Sequence, residues 1–260
     1  RVLTTAVVVV LAACTDRRPP TPQSLTAELV AAVGSRRYIE GRLPGGFRFG
    51  PPETRYRSSA GTHIDPPAIL SVLAKAEALP SRHTPRGLLL RGMARLLAGR
   101  VDQSISLLTL SAAADPSADA WAALAAAYLE AASAKPGSAT ELTARALDAA
   151  EQGLALDQRS TEAWFNRALA ATHLPPCEPA DAAWEEYARR ERDPEWRAEA
   201  TRRRLLDMAA PGRLRLAGYS VLFVQPTALI TTLARAHPEA RLEDRLGFYA
   251  KPKLLIVDEL

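Results

Sequence analysis

The sequence predicts a mainly α-helical protein in which helical hairpins stack into an α-solenoid, followed by a short strand-helix-strand unit. Three observations predict this fold. Apolar residues recur at helical spacing from about residue 65 to residue 208, and large aromatic residues return at intervals of roughly one helical hairpin. After residue 212 the pattern changes, because two β-prone runs, at 218–223 and 254–257, flank a stretch with helical spacing.

Length and composition are those of an ordinary globular protein. A chain of 260 residues with 47% hydrophobic and 24% charged residues suggests one or two domains. The net charge of +4 is spread along the chain, and its densest basic run, Arg202–Arg204, is typical of a solvated helix face rather than a nucleic-acid site. Neither the two cysteines nor the four histidines have metal-ligand or redox spacing, so we expect no metal site. The histidines are expected at the surface or partly packed: His63, His83, His173 and His237.

Residues 1–14 have the pattern of a lipoprotein export signal. The apolar run Val2–Ala13 has the length of a signal-peptide core and is too short to span a bilayer. Its end, residues 11–14 (LAAC), resembles a bacterial lipobox, in which the cysteine receives the lipid. Residues 15–24, rich in proline, are predicted to be a tether. The pattern therefore predicts a lipid on Cys14 and an anchored protein of the cell envelope; a plain secretory signal or a buried helix are the alternatives.

Residues 25–64 are predicted to form one helix and a loop. The helix takes about residues 25–40, and glycine and proline crowd the stretch that follows it. Phe47 and Phe49 alternate there with arginine and glycine. This alternation favours an extended loop or a small hairpin that packs both rings on the helices.

Residues 65–208 are predicted to form helical repeats. The first hairpin takes 88–97 and 101–110, with a turn at residues 99 and 100. The next unit opens with Trp121, Leu124, Ala125 and Tyr128, a spacing that resembles the tetratricopeptide repeat. A third unit opens at residue 164, and a helix at about 195–208 is predicted to cap the stack.

The tetratricopeptide resemblance implies a surface that binds a protein or peptide partner. The aromatic residues themselves are expected to pack within their own units and not to contact a ligand. They are Trp121, Tyr128, Trp164 and Trp184.

The stretch 25–205 also resembles the N-terminal, repeat-bearing part of bacterial CHAT proteins. Residues 39–47 (IEGRLPGGF), 120–129 and 163–169 carry this resemblance. In that family a caspase-like domain accompanies the repeats. No Cys/His pair in this sequence stands in for such a domain, so we do not expect protease activity.

Residues 212–260 resemble part of the IstB-like helper ATPases of transposition. A strand at 218–223 and a final run, residues 254–260 (LLIVDEL), match the two ends of a strand-helix-strand piece of a P-loop α/β fold. The resemblance implies that Asp258 and Glu259 would hold Mg²⁺ and activate a water. No G-x-x-x-x-G-K-[ST] loop occurs in the sequence, so we expect neither catalysis nor a bound cofactor. ATP and Mg²⁺ are expected only if this resemblance is functional.

Three functional hypotheses follow. The first is a lipid-anchored module that binds a protein or peptide partner through its helical repeats. The second is a cytoplasmic, ATP-binding helper of transposition, with DNA as a partner. The third is a non-functional gene-fusion fragment that joins pieces of both. Nucleotide-dependent thermal stabilisation, lost in Asp258→Ala, would favour the second hypothesis.

Overall fold

A computed structural model describes residues 19–50, 67–174 and 180–209, two strand segments, and five helical positions between those strands (230, 233, 234, 243 and 246). The described part is mainly helical, as predicted. A short 3-10 helix, Pro136–Ser138, joins α5 to α6. The α-helices are α1 (Pro22–Val33), α2 (Pro67–Ala78), α3 (Pro85–Leu97), α4 (Val101–Ala114), α5 (Ala118–Ala134), α6 (Ala139–Leu156), α7 (Thr161–His173), α8 (Ala180–Arg190) and α9 (Pro194–Ala209).

Side-chain caps fix where the odd-numbered helices α1, α3, α5 and α7 begin. In each case the hydroxyl of the capping residue accepts a hydrogen bond from the backbone N–H three residues further on. Proline at the first position of α1 and α3 suits a helix start because that position needs no N–H. The four capping residues are Thr21, Thr84, Ser117 and Ser160.

The predicted first hairpin is confirmed by α3 and α4. Gly99, with φ 73°, makes the turn between them, in a region that glycine enters without steric cost. The two helices approach closely, since a Cβ atom at Gly92 would lie 2.6 Å from the side chain of Leu108. The Ser104 hydroxyl also donates a hydrogen bond to the carbonyl oxygen of Gly92 at 2.9 Å.

The helices stack in the order of the chain. Each helix from α1 to α9 packs on the next, and α3 and α7 also pack on α5. Close approach at α5 is possible because its buried surface consists largely of alanine methyl groups. This pattern of contacts is consistent with an α-solenoid, in which each hairpin buries its apolar face on its neighbours.

The first helix differs from the one predicted at residues 25–40. It begins at Pro22, inside the predicted tether, and ends at Val33. Gly34 terminates it with φ 61° and donates its N–H to the carbonyl oxygen of Val30. Residues 35–50 then continue as irregular chain, and this part of the helix prediction was wrong because glycine was placed inside a helix that it ends.

Two short strands are described near the carboxyl end. β1 (Val221–Val224) and β2 (Leu254–Val257) pair in parallel, with Val221 opposite Leu254. Most residues between them lie outside the described part of the chain. The strand-helix-strand unit as a whole, and its P-loop character, therefore stay predictions.

Candidate functional site

Residues 37–49, which follow α1 and are hereafter called the crossing segment, lie against a face formed by α5, α7, α8 and α9. At Gly41 the backbone of the segment lies directly on the helices. A Cβ atom there would lie 2.8 Å from the Cβ of Ala126 on α5 and 3.2 Å from the Oδ1 of Asn166 on α7. The backbone of the segment therefore rests directly on two helices, in a position that admits glycine alone without displacement.

Apolar side chains anchor the crossing segment along its length. Ile39 and Leu43 are buried in the core shared with α1 to α6, and Phe47 packs against the same core. Phe49 meets Trp196 of α9 edge-on, with ring centroids 5.2 Å apart. The predicted packing of both phenylalanine rings on the helices is thus confirmed.

Asn166 binds the backbone of the crossing segment. Its side chain is completely buried. The Oδ1 accepts a hydrogen bond from the N–H of Arg42 at 2.7 Å, and the Nδ2 donates to the carbonyl oxygen of Arg42 at 2.9 Å. The Nδ2 also donates to the carbonyl oxygen of Ala122 at 2.9 Å, which ties α7 to α5. One amide side chain therefore satisfies both backbone polar groups of one residue of the crossing segment.

The side chain of Arg42 enters a buried polar pocket. Its guanidinium donates to the hydroxyl of Tyr187 at 2.8 Å, pairs with the carboxylate of Glu191 and lies over the ring of Trp196 at 4.5 Å. The Tyr187 hydroxyl donates to Glu191 at 2.9 Å, and burial raises the pKa of that hydroxyl. Burial also acts to raise the pKa of Glu191, but hydrogen bonds from Arg42 and from the backbone N–H of Asp193 outweigh it and hold this pKa below its ordinary value.

Arg37 makes a second buried contact at the start of the crossing segment. Its guanidinium pairs with Glu199 of α9 at 3.2 Å and also donates to two carbonyl oxygens of its own segment. It lies over the rings of Phe165 and Trp196, at 5.2 and 5.1 Å. Burial, together with the nearby charge of Arg203, lowers the pKa of Arg37 to about 10.

The basic run Arg202–Arg204 is only in part the solvated helix face that was predicted, since Arg202 is exposed and Arg204 is 38% exposed, whereas Arg203 belongs to this site. Arg203 is only 15% exposed and bridges Glu40 of the crossing segment, at 2.9 Å, to Glu199, at 2.7 Å. Arg202 also pairs with Glu199 at 2.6 Å. Arg204 reaches two carboxylates of α8 at 3.3 and 3.8 Å. Arg202 and Arg203 thereby help to neutralise the buried carboxylate of Glu199, which Arg37 of the crossing segment also contacts.

The aromatic residues of the repeats pack against neighbouring side chains of the helices, as predicted. Trp184 is completely buried and meets Phe165 edge-on with ring centroids 5.2 Å apart. Trp164 is half-buried and donates its Nε1 hydrogen to a backbone carbonyl at 2.9 Å. Trp121 and Tyr128 are half-buried against the main core.

Most of the other predicted site residues fall on parts of the chain that the structure does not describe. Cys14, Asp258 and Glu259 lie outside the described residues, as do His63 and His237. His83 and His173 are exposed, in agreement with the predicted surface position. Within the described ranges, no group of three or more His, Cys, Asp or Glu side chains is placed to hold a metal ion. No helix in the same ranges is long and apolar enough to cross a bilayer.

Sequence reasoning missed the residues that form the site. Asn166 carries one local signal, since a polar residue beside Phe165 in a short apolar stretch favours a buried hydrogen-bonding role. Arg37, Arg42 and Glu191 gave no such signal, because charged residues are frequent throughout the chain. Their partners lie more than 100 residues away in the sequence.

Comparisons with known proteins do not extend this description. No model of a protein family matches the chain, and no curated protein matches it. The function therefore has to be argued from the geometry of the crossing segment and its helices.

Proposed function

We propose that this chain is a protein-protein interaction module of tetratricopeptide type, without catalytic activity of its own. The observation that supports the proposal is the pairing of Asn166 with both backbone polar groups of Arg42. This helical face binds an extended polypeptide segment within its own chain, through backbone hydrogen bonds and apolar anchors. A fold that presents such chemistry is suited to binding a segment of a partner protein.

The stacking of the helices supports the tetratricopeptide type. Trp121, Ala125 and Tyr128 stand on α5 at the spacing of that repeat, and α5 packs on both α3 and α7. The repeat pattern requires small residues where neighbouring units meet. The capped helix starts at residues 84, 117 and 160 open three successive units in the same way.

We further propose that the module is held at the cell envelope by a lipid on Cys14. The support is the apolar run that ends in LAAC at residues 11–14 and the polar, proline-rich stretch after it. Metabolic labelling with palmitate tests this part directly. Label that is incorporated into the wild type and lost in Cys14→Ser is the expected result, and equal labelling of both would contradict it.

Selection from a displayed library of random peptides tests the interaction function. The folded, full-length chain is expected to enrich a linear motif, whereas a thermally unfolded sample provides the background. If the folded chain enriches no more than the unfolded one, the proposal of a peptide-binding module is wrong.

The second candidate is an IstB-like, ATP-binding protein that assists DNA transposition. The parallel pairing of β1 with β2 supports it, because a parallel pair suits a strand-helix-strand unit. It predicts that ATP with Mg²⁺ raises the melting temperature and that Asp258→Ala abolishes the rise. An unchanged melting temperature in the presence of ATP would favour the interaction module instead.

A further inference from the structure

A groove of about 920 Å³ lies where the α6–α7 connection meets the end of α8 and the start of α9. Arginines from all three places line it. Among the described residues that line the groove, Glu191 is the single carboxylate. The arginines are Arg159, Arg189, Arg190, Arg192 and Arg197.

The carboxylate of Glu191 does not balance these positive charges. It faces inward, where it is bound by Arg42 and Tyr187, and its side chain is only 5% exposed. Arg197 contacts the backbone carbonyl of Glu191 instead, at 2.8 Å. The carboxylate among the lining residues is thus already neutralised by a partner on its inner side.

Two of the five arginines keep their capacity to bind an anion. Arg189 and Arg190 share one carboxylate, that of Glu186. Arg159 and Arg192 are exposed, and neither forms an ion pair within the described ranges of the chain. A guanidinium presents several donors in a planar fork that matches a carboxylate, so these two side chains favour an acidic ligand.

A second groove, of about 680 Å³, continues the first between α6, α7 and α8. The two share Gln158, Arg189 and Arg190, so they form one continuous surface. Leu154 and Trp164 contribute apolar surface to the second groove, together with two carboxylates that arginines already pair, Glu151 with Arg167 and Glu186 with Arg189 and Arg190. The surface therefore offers the unpaired cations Arg159 and Arg192 at one end, and apolar contact among ion-paired side chains at the other.

We propose that this surface docks an acidic, extended peptide segment of a partner protein, with an apolar side chain next to its carboxylates. The proposal rests on the proposed interaction function and names the class of partner. Carboxylates of the segment pair with Arg159 and Arg192, and its apolar side chain lies on Leu154 beside Trp164. Complementary charge here sets the orientation of the segment and accelerates its encounter with the protein.

A nucleic acid fits the same surface less well. Proteins that bind single strands combine cations with open aromatic rings on which bases stack. Here the guanidinium of Arg190 already lies over the ring of Trp164, at 4.2 Å from its centroid. Among the described residues of this groove, no open aromatic ring therefore lies beside the arginines for a base to stack on.

Fluorescence anisotropy with the full-length chain tests the proposal. The probe is a labelled peptide of glutamates with one leucine, titrated at about 0.15 M salt, where long-range charge effects are screened. Arg159→Glu with Arg192→Glu is expected to weaken its binding about tenfold or more. The matched control is Arg86→Glu with Arg100→Glu, which reverses two exposed arginines on the α3 and α4 side and is expected to leave binding within about twofold of wild type. Replacing the probe leucine by serine is expected to weaken binding as well.

Three results would overturn the proposal. They are no binding of the probe, equal weakening by the control pair, or tighter binding of a single-stranded oligonucleotide of equal charge than of the peptide. If charge reversal disturbs folding, as judged by circular dichroism, Arg159→Gln with Arg192→Gln replaces it, with the same expected direction. If only this proposal fails, the peptide library still yields a motif, and the double variant binds that motif as tightly as the wild type does. If the interaction function itself fails, the library yields no motif.

Discussion

At the scale of single residues, Asn166 links the repeat stack to the crossing segment. It makes three hydrogen bonds from a completely buried side chain, two to Arg42 and one to Ala122. Hydrogen bonds of this kind contribute modestly when made, but a buried group left without a partner costs about 1–3 kcal/mol. One amide side chain therefore contributes a large share of the site's stability.

Asn166→Ala is expected to lower the free energy of unfolding by about 2–4 kcal/mol, because the N–H and carbonyl of Arg42 lose their partner. Denaturation in urea measures this. Gln152→Ala, an exposed amide on α6, is the control and should change the value by no more than about 0.5 kcal/mol. Equal effects of the two variants would show that the backbone contact contributes nothing.

The decrease in the free energy of unfolding at acid pH tests the Arg42 pocket. The folded-state pKa of Glu191 lies below its unfolded value, and that of Glu199 is lowered as well, since Arg203 and Arg37 outweigh the effect of burial. Between the folded and the unfolded pKa values, the unfolded state binds more protons than the folded state. The two carboxylates therefore contribute their full stabilisation above the ordinary glutamate pKa of about 4.3, and this contribution is lost as pH falls through the lower, folded values.

Glu191→Gln is therefore expected to flatten the loss of stability below that pH, as measured by urea denaturation across an acid series. It should also lower stability at neutral pH, because Arg42 loses its charged partner. Glu141→Gln, which removes an exposed carboxylate on α6, should keep the wild-type slope. An unchanged slope in Glu191→Gln would contradict the assignment of this carboxylate to the pocket.

At the scale of elements, the helix starts are encoded locally. The hydroxyls of Thr84, Ser117 and Ser160 accept from N–H groups at the start of α3, α5 and α7. Ser138 precedes α6 in the same way, yet its side chain makes no capping bond. The chain thus contains its own comparison between a serine that caps a helix and one that does not.

Ser117→Ala and Ser160→Ala are each expected to lower the melting temperature, in line with a loss of about 1 kcal/mol per cap. Ser138→Ala should leave the melting temperature nearly unchanged, because no capping bond is lost. Calorimetry of the three variants measures this. A fall in Ser138→Ala as large as in the other two would contradict the capping assignment.

The helices could be predicted from the sequence because their signals are local. The apolar period, the turn at Gly99 and the caps all lie within a few residues of the elements that they define. The crossing segment could not be predicted in this way. Gly41 and Arg42 meet Asn166 across 124 residues of sequence, and nothing near residue 41 specifies that partner. The helix predicted at 25–40 ran too far for a related reason, since it assigned to a helix the residues that cross the stack.

At the scale of the whole molecule, the crossing segment joins the two ends of the helical stack. Arg37 and Arg42 reach α8 and α9, while Ile39 and Leu43 are buried with α1 to α6. Helical repeats ordinarily contact only their neighbours, so such a stack opens from its ends. A segment that spans several units couples them, and the described helices are expected to unfold together.

A cleaved form of the protein tests whether the crossing segment holds the helical stack together. A protease site is introduced between residues 51 and 66, the chain is cut, and size-exclusion chromatography measures whether the piece that carries the crossing segment stays with α2 to α9. Both pieces are expected to elute together, and Gly41→Ala is expected to weaken their association because its Cβ would meet Ala126 at 2.8 Å. Gly137→Ala, at a position open to a Cβ, should leave the association unchanged. Separate elution of the two pieces from the wild-type sequence would show that the crossing segment does not hold the stack together.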